Sequence, residues 1–204
     1  AKPQPAGSSA AKLAAIYGGW MDEAAIEARG VEPLKPLLAE IDAVPDKAAL
    51  AALLGGIDFT APFTIFIDAD PAAPAAYAVN LAQSGLGMPN RDYYLTTGAT
   101  YDAYRAAYKT YATTIFELIG DPTPAASADA VIALETKIAT IHWTPERQRN
   151  VKEAVNPMDL AGLQKLAPAV KWSDVFTSAG FTGIDRIIVA ETSAVRDGAA
   201  LIAS

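Results

Sequence analysis

The chain has 204 residues, half of them apolar, with alanine supplying much of that fraction; this is enough to bury a proper core and points to closely packed helices, a mainly α fold. A formal charge of −7 with no Lys/Arg cluster excludes a sequence-independent grip on nucleic acid, and the absence of cysteine excludes disulfides, thiolate zinc sites and cysteine nucleophiles. No run of eighteen apolar residues exists to span a membrane as a helix.

The Pro/Gly/Ser/Ala-rich start, residues 1–10, reads as a linker or a boundary from which upstream sequence has been removed, and it lacks a signal-peptide layout. From Ala10 to Arg29 the residues Leu13, Ile16, Tyr17, Trp20 and Ala24 recur at three and four, which predicts one helix stopped by Gly30. A second helix starts at Pro33, with Leu34, Leu37, Leu38 and Ile41 on one face. Asp46 is positioned to cap a third, which ends at Gly55-Gly56.

At Asp58 the period changes towards two. A strand is predicted over Phe63 to Ala69, and AYAVNLAQ can pair back with it across the DADPAAP turn to give a small β-hairpin on a helical body. The next stretch, SGLGMPNRDYYL over residues 84–95, concentrates constrained residues: Gly85 and Gly87 permit unusual backbone, Pro89 fixes φ, and Arg91 and Asp92 can bridge backbone groups. Tyr93 and Tyr94 can anchor it. It reads as a shaped structural corner, the plainer alternative being an ordinary loop.

Tyr101, Tyr104, Tyr108, Tyr111, Ile115 and Leu118 then define a helix whose aromatic stripe is expected in the core. Ser127 is expected to cap the following helix, with Val131, Leu134, Ile138 and Ile141 on its face up to His142. Asp159 and Ser173 mark two short helices, Ile187 to Ala190 is β-like, and residues 191–204 read as the cut start of a further helix.

Chemistry is sparse. The single histidine, His142, has the look of a structural or surface residue at a helix end, and Asp22-Glu23, Asp68/Asp70 and Glu146/Glu153 are carboxylate pairs without supporting context. Gly85 and Gly87 precede Met-Pro, not a lysine-bearing phosphate loop. No catalytic residue and no metal ligand is assigned.

Gln83, Gly85, Leu86, Gly87, Met88, Pro89, Asn90, Arg91, Asp92, Tyr93 and Tyr94 stand in an order that resembles the neprilysin and endothelin-converting enzyme family of zinc metallopeptidases. MDEAAIEARGVEPL, LETKIATIHW and VNPMDLAGLQKLAPAVKW are similar to further family segments, so the resemblance runs from about Lys12 to Val189. Trp20 stands where disulfide-bonded members carry cysteine, RQRN at 147–150 replaces Arg-Arg-Asp, and Val155 replaces a tyrosine. The His-Glu-x-x-His helix that carries the family's zinc does not occur in these residues.

The resemblance implies a helical cap lobe over residues 11–190, enclosing the active-site chamber of a zinc metalloendopeptidase and limiting substrates to peptides. On that reading zinc belongs to the parent enzyme and none to this chain. The partner is the catalytic lobe of the same polypeptide, the parent cleaves peptides, its location is periplasmic or extracellular, and the 204 residues alone are inactive. The alternative is a free-standing helical module that binds a protein or peptide without catalysis.

Overall fold

A computed structural model describes residues 5–204, which divide after Ala43 into two compact units. The first holds α1 (Ser9–Met21), α2 (Glu23–Arg29), a 3₁₀ turn (Glu32–Leu34) and α3 (Lys35–Asp42). The single helix expected over Ala10 to Arg29 is two. Asp22 leaves helical geometry, and its carboxylate accepts from the Ala25 N–H at 3.1 Å, so a new helix is capped where the old one ends. Pro33 and Pro36 each fall at the start of their own element, where a missing N–H costs nothing.

The second unit, 44–204, begins with α4 (Lys47–Leu53), capped by Asp46 as its sequence suggests, with Ala49 N–H donating at 2.8 Å. β1 (Phe63–Asp70) and β2 (Ala73–Gln83) form the hairpin, antiparallel from Phe63↔Gln83 to Asp70↔Ala73. Two short strands extend it. β4 (Ile187–Val189) runs parallel to β2, and β3 (Asn156–Met158) pairs antiparallel with β4, giving a four-stranded sheet in the order β1-β2-β4-β3. Beyond its first residues the hairpin leaves the core: Phe66, Ile67 and Tyr77 are exposed, and the Arg186 guanidinium holds the Asp70 carboxylate at its tip, well below the usual carboxylate range.

The helices of this unit are α5 (Asp92–Leu95), α6 (Ala99–Leu118), α7 (Pro124–Ile141), α8 (Pro145–Gln148), α9 (Val151–Ala154), α10 (Leu160–Leu166), α11 (Trp172–Ser178) and α12 (Thr192–Ala203). The core packs Phe63, Leu81, Ile187 and Val189 of the sheet against Leu163, Trp172, Val175, Phe176 and Val195 of the helices. Trp172 is its centre. The ring lies 4.9 Å from Phe63 and 6.2 Å from Phe176, and its Nε1–H donates to the Ala167 carbonyl at 2.8 Å, so the one polar atom of the indole is satisfied inside the apolar cluster.

Three expectations are corrected here. The α6 stripe is not core throughout: Tyr104, Tyr111, Ile115 and Leu118 are exposed, because α6 packs on α7 and α5 along only part of its surface. Ser127 lies within α7, whose N-cap is Thr123, since Pro124 suits the first turn; the Ser127 hydroxyl donates to Asp121 at 2.9 Å instead. The helix expected to start at Ser173 begins one residue earlier, at Trp172.

Candidate functional site: the corner after strand β2

The corner is built around one carboxylate. Gly87 N–H and the Tyr108 hydroxyl donate to Glu135 Oε1 at 3.1 and 3.0 Å, and the Tyr94 hydroxyl donates to Oε2 at 2.8 Å while accepting from Met88 N–H at 2.9 Å. Residues from β2's exit, α5, α6 and α7 therefore converge on a single side chain. Gly85 sits at φ +96°, and a Cβ there would stand 2.8 Å from the Ala61 carbonyl. Gly87 has another reason: a Cβ would overlap the Tyr108 hydroxyl and approach Glu135 Oε1 to 3.0 Å. One glycine serves conformation, the other close approach.

The remaining corner residues each fix backbone. Past Pro89, Asn90 Oδ1 accepts from Asp92 N–H at 2.9 Å, Arg91 Nε donates to the Ala139 carbonyl at 3.3 Å, and Tyr94 is buried with Met88 and Ala139. Tyr93 is half-buried against Tyr101 and Tyr104, with ring centroids 5.7 and 5.3 Å away, and its carbonyl accepts from Arg105 at 2.8 Å. Burial first, and the Glu135 charge second, push the Tyr108 hydroxyl up to about 12; Tyr94 is raised further by burial, so both remain donors throughout the physiological range.

A second knot lies on the other side. Gln83 pairs with the Trp143 backbone, accepting from its N–H at 2.7 Å and donating to its carbonyl at 3.3 Å. Buried Glu191 accepts from Gln83 N–H and Gln148 Nε2, both at 2.9 Å, and Trp143 Nε1–H donates to Ser193 at 2.6 Å. His142 ends α7 and donates from Nε2 to the Ser84 carbonyl at 3.0 Å. Glu135 and Glu191 carry no role in the sequence reading. The signal for Glu135 is its place four residues after Val131 and three before Ile138, on their face of α7; Glu191 offers none, since its burial depends on strands far apart in the chain.

Asp22 caps a helix, Asp68 accepts from Ala69 N–H, Asp70 pairs with Arg186, and Glu153 pairs with Arg147 at 2.9 Å, so each carboxylate pair named from the sequence is divided among structural partners. The donor set does not fit zinc. Among the described residues no three His, Asp or Glu side chains come together, and the one imidazole is committed through Nε2 to a carbonyl.

His142 makes the corner sensitive to acid. Burial, opposed by the hydrogen bond to the Ser84 carbonyl and then by Glu191 and reinforced by Arg91, holds its pKa below the ordinary 6.5. The unfolded chain then takes up a proton that the folded chain resists, so stability is full above about 6.5 and is lost as pH falls towards the folded value. Urea midpoints measured from pH 7.5 to 5.0 should fall more steeply for the wild type than for His142→Gln, which keeps a donor for Ser84; parallel curves would remove His142 from the account.

The sequence model for the N-terminal part of peptidase family M13 matches residues 1–204. The chain belongs to peptidase family M13. Curated relatives include endothelin-converting enzyme-like 1 of Mus musculus, 23% identical over 98% of this chain and 28% of that protein, and endothelin-converting enzyme 1 of Bos taurus, 28% identical over 79% and 23%. The inhibitor complex of the zinc metalloprotease ZMP1 of Mycobacterium tuberculosis superposes with a TM-score of 0.89 at 29% identity, covering 98% of this chain and 31% of that one. PepO of Lactobacillus rhamnosis, at 15% identity and a TM-score of 0.70, shares the fold. This M13 chain thus spans less than a third of the length of these relatives. Its mainly helical body with a small sheet is the architecture they share, and among its described helices none is long and apolar enough to cross a membrane.

Proposed function

We propose that this M13 chain is the non-catalytic helical lobe of a zinc metalloendopeptidase, closing over an active-site chamber formed by other parts of the polypeptide and limiting entry to peptides. The observation that carries the reading is the family match over all 204 residues in a chain that spans less than a third of its relatives' length. Zinc bound elsewhere in such a protein supplies a Lewis acid and an activated water. By the family resemblance, the proposed location is periplasmic or extracellular.

The size limit is tested on the product of the whole reading frame. A flexible peptide should be cleaved at least about a hundredfold faster than the same sequence displayed in a loop of a large folded carrier, a barrier of about 2.7 kcal/mol. Equal rates on both substrates would contradict a lobe that screens by size.

A further inference from the structure

Between the corner and the start of α8 lies a half-open cavity of about 250 Å³, lined among others by Gln83, Asn90, Arg91, His142, Trp143 and Gln148. Two of these have unspent chemistry. His142 is only 9% exposed, and because the Ser84 carbonyl can only accept, Nε2 carries the proton and Nδ1 presents a lone pair. Nδ1 has no protein partner among the described residues, and every fully enclosed side-chain N or O atom among them does have one, so Nδ1 is open to solvent on a ring that lines the cavity.

Arg91 follows the same logic. Its Nε is tied to the Ala139 carbonyl, which fixes the plane of the guanidinium, while its two terminal nitrogens make no ion pair among the described residues and are likewise not enclosed. The neighbouring acids do not compete closely: both Glu191 oxygens are engaged, by Gln83 and Gln148, and Glu146 feels the Arg91 charge without an ion pair to it. A held guanidinium with its outer edge free matches a carboxylate through two parallel N–H bonds. The volume is below that of a drug-sized pocket and suits a group the size of one amino-acid residue.

We propose that this cavity binds an amino-acid-sized carboxylate that also carries an N–H donor, the carboxylate on Arg91 and the N–H on His142 Nδ1. That chemistry is shared by the C-terminal residue of a peptide and by a free N-acyl amino acid. The site does not depend on the peptidase reading, since every group in it belongs to this chain.

Because His142 is the only histidine, its ring gives an isolated signal in a carbon-proton NMR spectrum of the 204-residue chain. At pH 7.5 and constant ionic strength, N-acetylglycine should move that signal along a saturating curve, and N-acetylglycinamide, which lacks the carboxylate, should not. Arg91→Gln should weaken the N-acetylglycine response at least about tenfold. Should that variant disturb the fold, the acid-against-amide comparison on the wild type still decides. An acetylated tetrapeptide with a free C-terminus that matches N-acetylglycine assigns the site to peptide ends; binding of N-acetylglycine alone assigns it to small acids. A linear response to N-acetylglycine, or equal responses to acid and amide, overturns the proposal.

Discussion

Glu135→Ala should destabilise the 44–204 unit by about 3 kcal/mol, read as a lower urea midpoint at unchanged slope. The substitution strands three donors at once, the Gly87 N–H and the hydroxyls of Tyr94 and Tyr108. Water can replace the carboxylate for exposed Gly87 and half-buried Tyr108, but hardly for buried Tyr94, whose oxygen must also keep accepting from Met88. That asymmetry sets the estimate well below three full desolvation penalties. Glu135→Gln, which retains one acceptor and the shape, should lose roughly half as much. Tyr108→Phe should remove about 1 kcal/mol but should not make room for Gly87→Ala, whose methyl would still meet the ring carbon Cζ at 2.7 Å; Tyr108→Ala, which removes the ring, should. If Gly87→Ala cost as much in the Tyr108→Ala background as in the wild type, the close-approach account of Gly87 would be wrong.

Trp172→Ala should be the more severe, at about 4 kcal/mol, or roughly a 10 °C fall in Tm for a unit of this size. The indole is fully buried between Phe63 and Phe176, so its loss removes apolar area, opens a cavity joining β1 to α11, and leaves the Ala167 carbonyl without its donor. Trp172→Phe, which restores most of the volume but no N–H, should lie near the midpoint of the two. A Trp172→Ala loss below about 1 kcal/mol would mean that the core closes around the gap and that this ring is not its centre.

Both residues show what the sequence can and cannot convey. Local grammar was legible: Asp46 and Asp159 cap their helices, the period-two run at Phe63 is a strand, and Gly120 at φ +81° ends α6. What escaped were properties set by distant neighbours. The β-like run at Ile187 joins the hairpin through a parallel pairing that no local signal announces. The α6 stripe looks like core because tyrosine at helical spacing carries the same periodicity whether it is buried or stacked at the surface, and here Tyr93, Tyr101 and Tyr104 form a partly exposed aromatic cluster.

The candidate site divides in the same way. The corner residues stand out by composition, since Gly, Pro, Asn and Arg in one stretch have few uses other than a turn. The carboxylate that organises them lies some 40 residues on in the chain, with separations of 41 to Tyr94 and 48 to Gly87, and a lone glutamate on a helix normally reads as a solvated position. Asp22 is the converse case. It reads as one of an acidic pair, yet its carboxylate is what splits the first predicted helix in two.

If, as we propose, peptide cleavage by this M13 protein is carried out by parts of the polypeptide other than residues 1–204, assays with added zinc will separate the two. The 204-residue chain and the product of its whole reading frame are compared at equal concentration. Cleavage by the longer protein alone, with no stoichiometric zinc on the 204 residues, is the predicted result; zinc-dependent cleavage by the 204 residues themselves would contradict it.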